Sequence, residues 1–217
     1  MKKSLLSLMT LAAFSATAAE FILKVDYAPD GDTIRAFDQD GNSVKVRMLG
    51  VDTPEKEFKG QSQGEHALAA TNFLRQLLPT GTEIRVVTGE QETEKWDRIL
   101  GIVYLGDINI NTEILRQGYG MPYFIYPFEN DMIQEHRLAC EEAERNGRGV
   151  FSKSNPLQYE PYVFRMRASG YAGNNLVGNM VTKEFFAPAQ YRKIPICSRV
   201  FFYQDRNAES YGYRAAR

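Results

Sequence analysis

One short stretch decides how the rest of this chain is interpreted: Arg47-Met48-Leu49-Gly50-Val51-Asp52-Thr53-Pro54-Glu55. Residues 44–49 predict a strand, and its end carries a cation, Arg47. The residues that follow predict a turn, and this turn holds two carboxylates, Asp52 and Glu55. The stretch therefore predicts opposite charges gathered at the end of one strand.

Two further motifs place similar charges at the ends of other short strands. Asp30-Gly31-Asp32-Thr33 comes before the stretch, and Asp97-Arg98 follows it at the start of another apolar run. Carboxylate oxygens suit a hard divalent cation, and guanidinium groups match phosphate oxygens. Asp-Gly pairs are also common in plain turns, and we interpret Asp30 either as structural or as a group that supports the metal ligands. Together the motifs predict a site for a divalent metal and a phosphodiester.

The sequence around these motifs predicts a series of short strands and three helices. Residues 62–65 form a capping box that predicts the start of a helix, and Pro79 and Gly81 end it. Residues 90–95 are charged and predict a solvated loop. The predicted strands cover residues 20–27, 33–37, 44–49, 82–88 and 99–105, and the two later helices cover 109–117 and 130–145.

This order of elements predicts the fold class and the domains. Five strands, with one helix between the third and fourth, are typical of a Greek-key barrel of the oligonucleotide-binding (OB) type. We therefore expect an α+β fold that is mainly a β barrel, with three packed helices, over residues 20–153. A small C-terminal module is expected over residues 154–217, and residues 156–161 near its start are typical of a linker.

The N-terminus predicts export. Lys2 and Lys3 precede an apolar run, Leu5–Phe14, and small residues follow at positions 16–18. This pattern is typical of a signal peptide, here residues 1–19, and the apolar run is too short to span a bilayer. A buried N-terminal helix is the alternative. We expect a periplasmic or secreted protein that is free of the membrane after cleavage.

Charge and cysteine content limit the possible functions. The formal net charge is −1, and removal of Lys2 and Lys3 would make it −3. The basic excess that is usual in nucleic-acid binders is absent, so contact with a polyanion must be local or pass through a cation. Cys140 and Cys197 could form a disulfide or remain as buried thiols, and their spacing does not suggest zinc.

Four ordered blocks resemble the staphylococcal nuclease (thermonuclease) family over roughly Phe21 to Ser152. They are the three motifs above and Asn111-Thr112-Glu113-Ile114-Leu115-Arg116-Gln117-Gly118. The resemblance implies an OB barrel, one Ca²⁺ ion, and hydrolysis of DNA and RNA to products with 3′-phosphates. The residues implied are Asp32, Asp52 and the backbone carbonyl of Thr53 for the metal, Arg47, Glu55 and Arg98 for catalysis, and Phe124 and Tyr126 for nucleotide binding. Lys95 is a further nucleotide-binding candidate, as a contact to a phosphate.

Within this resemblance each charged group has a chemical role. Glu55 would activate or orient the attacking water, and Arg47 and Arg98 would clamp the phosphate. The family's aromatic pair aligns with Phe124 and Tyr126, so the first position lacks a hydroxyl group. Trp96 stands where the family has a tyrosine. Both departures concern the nucleotide-binding end of the site.

Two other functions remain open at this point. The same fold could serve as a non-catalytic nucleic-acid-binding module, although such copies usually lose the charged groups that are present here. An OB-type polysaccharide or peptide binder would leave those groups unexplained.

The C-terminal module is similar, over residues 177–186, to a small zinc-binding domain of bacterial DNA-alkylation repair proteins. It lacks that domain's cysteines at matching places, so we do not expect zinc. We expect a monomer that acts on DNA and RNA.

Overall fold

The structure is a computed structural model that describes residues 19–94, 97–128 and 130–216. Residues 1–18 of the predicted signal peptide lie outside the described residues, as do Lys95 and Trp96. In chain order the elements are β1 (Glu20–Tyr27), β2 (Thr33–Phe37), β3 (Ser43–Met48), β4 (Gly50–Asp52), α1 (Glu65–Leu77), β5 (Glu83–Glu94), β6 (Arg98–Leu105), β7 (Ile108–Asn109), α2 (Ile110–Arg116), β8 (Met121–Tyr123), α3 (Asn130–Asn146), α4 (Pro161–Ala168), β9 (Leu176–Asn179), β10 (Glu184–Phe186), β11 (Arg199–Phe202), α5 (Asp205–Ser210) and β12 (Arg214–Ala215).

Five of these strands form a closed barrel. Their order is β3-β2-β1-β5-β6, and a parallel pairing of β3 with β6 closes the sheet on itself. The predicted OB-type barrel and α+β fold class are confirmed. Closure places Arg47 beside Leu100 and Lys45 beside Arg98 in the register. The end of β3 and the start of β6, which carry the predicted arginines, therefore lie on neighbouring strands.

Apolar side chains fill the barrel, and α2 covers one end of it. A buried amide, Asn111, ties the helix to the strands. Its Oδ1 accepts from the backbone N–H of Val103 at 2.9 Å, and its Nδ2 donates to the carbonyls of Leu49 at 2.9 Å and Gly101 at 3.2 Å. Because all three bonds reach backbone groups, Asn111 fixes the chain just before β4.

Two local predictions are wrong. Helix α1 begins at Glu65, with Gly64 as its N-cap and no side-chain cap. Ser62 Oγ instead accepts from the backbone N–H of Gly64 at 3.0 Å, so it stabilises the turn before the helix. The charged residues before Lys95 do not form a loop, because β5 continues to Glu94 and pairs with β6 there. Strand pairing to β6 overrode the low strand propensity of glutamate.

The C-terminal segment forms its own four-stranded sheet, ordered β11-β9-β10-β12. Its hydrophobic residues share a cluster with the segment around β8 and α3. We call this cluster the aromatic core. Its members are Phe124, Phe128, Ile133, Met180, Phe185, Val200, Phe202, Ala208 and Tyr213. Residues on both sides of the predicted boundary near residue 154 thus share one hydrophobic cluster.

A disulfide also joins the two parts of the chain. Cys140 in α3 is bonded to Cys197, with the two Cα atoms 5.5 Å apart. The sequence left open either a disulfide or two buried thiols, and the structure has the disulfide. Among the helices of the described residues, none combines the length and the apolar character needed to cross a bilayer.

We predict that His136, buried in α3, makes the protein less stable in mild acid. Its Nδ1 lies 3.1 Å from the carbonyl oxygen of Met132, and its ring packs edge-on against Phe124. Burial lowers the pKa of His136 to about 4. Between pH 6.5 and about 4, the unfolded chain binds a proton that the folded protein does not, so stability falls as the pH falls. The expected loss at pH 5 is about 2 kcal/mol.

Urea unfolding of the wild type and His136→Leu, at intervals from pH 7 to pH 4.5, measures this effect. The substitution also changes packing, but that contribution is nearly constant with pH. The variant should therefore lose the part of the pH slope that the wild type owes to His136. Parallel curves for the two proteins would contradict the prediction.

Candidate functional site

Two buried carboxylates lie together at one end of the barrel. Asp32 precedes β2 and is 7% exposed, and Asp52 ends β4 and is 1% exposed. The Oδ2 atom of Asp32 accepts from the backbone N–H of Thr53 at 2.8 Å and from its hydroxyl at 2.9 Å. These bonds hold the turn after β4 against the turn before β2. Residues 21 positions apart in sequence are thereby brought into direct contact.

Arg47 lies between the two carboxylates. Its Nη1 is 3.2 Å from Asp32 Oδ1, and its Nη2 is 3.7 Å from Asp52 Oδ1. Burial lowers the pKa of Arg47, but Asp32 and Asp52 raise it by more, so the net shift is upward. The guanidinium is therefore a fixed positive charge. One predicted phosphate clamp and two predicted metal ligands converge as the sequence suggested.

Glu55 joins this cluster through an arginine from the C-terminal segment. Arg165, in α4, places Nη1 2.7 Å from Asp52 Oδ1 and 2.6 Å from Glu55 Oε1. Its Nη2 is 3.0 Å from Asp52 Oδ2. Burial raises the pKa of Glu55, and the charge of Arg165 opposes that rise. A carboxylate with a raised pKa is well suited to accept a proton. We refer to Asp32, Arg47, Asp52, Glu55 and Arg165 as the charged cluster.

Arg98 lies near Asp30 and Thr33, which stand on either side of Asp32 in the sequence. It lines a cavity of about 320 Å³ together with Asp30, Thr33, Arg35 and Lys45. Burial, and then the charge of Asp32, raise the pKa of Asp30 to about 6. Three cations, Arg35, Lys45 and Arg98, line this cavity, so its chemistry would suit an anion such as a phosphate.

The predicted nucleotide-binding aromatics do not lie at the charged cluster. Phe124 is 2% exposed within the aromatic core, and this burial is incompatible with base stacking. Tyr126 packs against Phe202 and Tyr211 beside the same core. Lys95 lies outside the described residues. An aromatic side chain that does lie at the cluster is Tyr123, whose ring centroid is 5.6 Å from the Arg165 guanidinium carbon.

Sequence reasoning missed two residues of the site. Tyr123 lies in β8, which pairs with β4 and so runs beside Asp52. Burial, and then the charge of Asp52, raise the pKa of Tyr123. The sequence alignment placed the nucleotide-binding aromatic pair at Phe124 and Tyr126. The pairing of β8 with β4 instead brings Tyr123 to the cluster. Arg165 carries no motif, and its contact with Asp52 spans 113 residues.

The charged cluster fits a hard divalent cation in its chemistry. Asp32 and Asp52 supply the carboxylate oxygens that Ca²⁺ prefers. Within the described residues, no three histidine, cysteine, aspartate or glutamate side chains form a group that could hold a metal alone. The guanidinium of Arg165 already contacts both oxygens of Asp52, where a metal would be held. A metal could use Asp52 fully only if Arg165 moved.

Comparison with known proteins identifies the family. The family model described as staphylococcal nuclease homologue matches residues 45–153. The chain is 31% identical over 197 residues to Endonuclease YhcR of Bacillus subtilis, covering 88% of this chain and 16% of that protein. It is 34% identical to the thermonuclease of Staphylococcus intermedius, over 54% of this chain and 65% of that protein. It is 31% identical to the thermonuclease of Staphylococcus hyicus, over 62% of this chain and 78% of that protein. The chain belongs to the staphylococcal nuclease family.

The matches cover different parts of this chain and of the relatives. The chain spans only a small part of YhcR and about two-thirds of the S. intermedius protein. The family model ends at residue 153, before Arg165. The match to YhcR covers 88% of the chain, so it must include at least half of the segment after residue 153. Nucleases of this family generally depend on a metal ion.

We predict that removing the Arg165 charge strengthens metal binding. Arg165→Met frees the oxygens of Asp52 and Glu55 and removes a competing cation. Hydrogen bonds to charged groups contribute about 1.5–3 kcal/mol, so we expect affinity for Ca²⁺ to rise at least about tenfold. Isothermal titration calorimetry of the nucleotide-free protein measures this directly.

Arg167→Met is the matched control. Arg167 lies in the same helix, is exposed, and packs over the ring of Tyr159. Its removal should leave Ca²⁺ affinity unchanged. Equal or weaker Ca²⁺ binding by Arg165→Met would show that Arg165 does not compete with the metal.

Proposed function

We propose that this chain is an exported, Ca²⁺-dependent nuclease that hydrolyses phosphodiester bonds in DNA and RNA and leaves 3′-phosphates. One observation carries the proposal: Asp32, Arg47, Asp52 and Glu55 converge at one end of an OB barrel. The names of the relatives, endonuclease and thermonuclease, support a nucleic-acid substrate.

The carboxylates would hold the metal and the arginines would hold the phosphate. Asp32, Asp52 and the carbonyl of Thr53 are the proposed ligands. The bound cation would offset the negative charge of the phosphodiester and polarise its oxygen. Arg47 offers a planar, permanently charged fork for two phosphate oxygens. As attack proceeds, charge grows on those oxygens, so fixed cations stabilise the transition state in particular.

Glu55 would take the proton from the attacking water. The water oxygen bonds to phosphorus, and the bond from phosphorus to the 5′-oxygen breaks. The departing 5′-oxygen takes a proton from solvent to become a hydroxyl group, so the phosphate stays on the 3′ side. For this step the Glu55 carboxylate must be free to accept a proton. Arg165 therefore has to leave Glu55 when substrate binds, and the substrate phosphate offers it another anion.

Export is supported by two features outside the charged cluster. The first 19 residues have the pattern of a signal peptide. The disulfide between Cys140 and Cys197 is of the kind that persists in oxidising compartments. We propose a periplasmic or secreted location on this basis.

A digestion assay tests the function. The purified protein without residues 1–19 is incubated with DNA and RNA, first with Ca²⁺ and then with a chelator. We expect cleavage of both polymers that the chelator abolishes, and products that carry 3′-phosphates. Binding without cleavage would favour the non-catalytic alternative.

Two substitutions test the assigned roles. Glu55→Gln should lower kcat by at least ~100-fold, because the amide cannot accept the proton. Arg47→Lys should lower kcat as well, because lysine cannot form the two-pronged contact. Glu57→Gln is the control for Glu55, since Glu57 is exposed and nearby in sequence. Normal turnover by Glu55→Gln would remove Glu55 from the mechanism, and normal turnover by Arg47→Lys would remove Arg47 as a phosphate clamp.

A further inference from the structure

A second cavity lies next to the charged cluster, within the C-terminal segment. Its volume is about 350 Å³, which is within the range of small-molecule sites. Helix α4, the connection to β9 and the turn of 3-10 helix at Pro188–Lys193 form its walls. Its aromatic lining consists of Phe58, Tyr123, Tyr162, Tyr171, Tyr191 and Phe201.

The cavity and the charged cluster share two side chains. Arg165 lines the cavity and also contacts the carboxylates of Asp52 and Glu55. Tyr123 lines it as well, with its ring near the Arg165 guanidinium. A ligand in the cavity would therefore lie one side chain away from a phosphate held at the charged cluster.

The chemistry of the lining suits a nucleobase. Aromatic rings line the cavity, and a ring that faces it offers a surface on which a base of any sequence can stack. Asn174 and Asn175 add amide groups that can donate to and accept from a base edge. Arg165 provides a cation at the side where the connecting phosphate would lie. Apolar stacking faces, amides and a cation in one cavity match the three parts of a nucleotide.

We propose that this cavity binds a base of the single-stranded substrate, next to the phosphate at the charged cluster. The proposal rests on the proposed nuclease function and adds a substrate contact to it. Most of the cavity lining comes after residue 153, where the match to the family model ends. The pocket is thus an addition that the C-terminal segment makes to the barrel. We call it the base pocket.

Two substitutions alter the base pocket without disturbing a core. Tyr171→Ala removes an aromatic wall whose side chain is 53% exposed. Ala189→Trp adds bulk at an exposed lining position and so fills the pocket. The matched controls are Tyr203→Ala and Val181→Trp, at positions 58% and 62% exposed that do not line the pocket.

Binding is measured without cleavage. Fluorescence anisotropy with a labelled single-stranded DNA hexamer, in EDTA, gives the Kd of each protein. We expect Tyr171→Ala and Ala189→Trp to weaken binding by roughly five- to 100-fold, the effect of losing one stacked base, and the controls to bind as the wild type does. With Ca²⁺, the same two variants should show a raised KM and a kcat within about twofold of the wild type.

Photocrosslinking locates the base directly. A hexamer with one 5-iodouracil is irradiated with the wild type in EDTA, and the modified peptides are found by mass spectrometry. We expect modification between residues 158 and 192, and its loss in Ala189→Trp.

The outcomes separate this proposal from the proposed function. Cleavage with normal KM and Kd in both variants would overturn the base pocket and leave the nuclease function intact. Oligonucleotide binding that both variants weaken, without cleavage by the wild type, would support the pocket and overturn the nuclease function. Failure of the wild type to bind the hexamer at 100 µM, about the range of weak nucleic-acid binding, would overturn the pocket.

Discussion

Neutralisation of two buried carboxylates is the constraint on which the rest of this structure depends. Asp32 and Asp52 are almost fully buried, and an unpaired charge in such a place costs far more free energy than one contact can return. Arg47 and Arg165 provide the compensating charges, one from the barrel and one from the C-terminal segment. The end of the barrel and helix α4 are therefore coupled through electrostatics. A metal ion and a phosphate that bind here would add their charges to carboxylates and arginines that are already paired.

The C-terminal segment is part of the site rather than an attachment to it. It contributes Arg165 to the charged cluster and most of the lining of the base pocket. Its position is held by the Cys140–Cys197 disulfide and by the aromatic core that it shares with the barrel side. These contacts explain how a cation so far along the chain can reach Asp52.

Prediction from sequence succeeded where the signal was local. The barrel strands and the position of Arg47 followed from short alternating runs, and Asp52 and Glu55 followed from the turn after them. It failed where a long-range contact overrode a local preference. The charged residues up to Glu94 extend a strand because β6 lies alongside. The failure at Ser62 is local, since its hydroxyl accepts from the backbone N–H of Gly64 and stabilises the turn before the helix. Phe124 was assigned to the site from alignment, but its side chain is buried in the aromatic core.

The sequence by itself determined the barrel, its OB-type strand order and the charged residues that its turns carry. It could do so because backbone alternation and turn chemistry act over a few residues, and such patterns are visible in one dimension. Only the tertiary structure decided which aromatic ring faces the carboxylates and which cation neutralises Asp52. Those choices depend on the pairing of β8 with β4 and on the docking of α4. Contacts that close across more than a hundred residues leave no periodic signal in the chain, because their partners are selected by packing and charge in three dimensions.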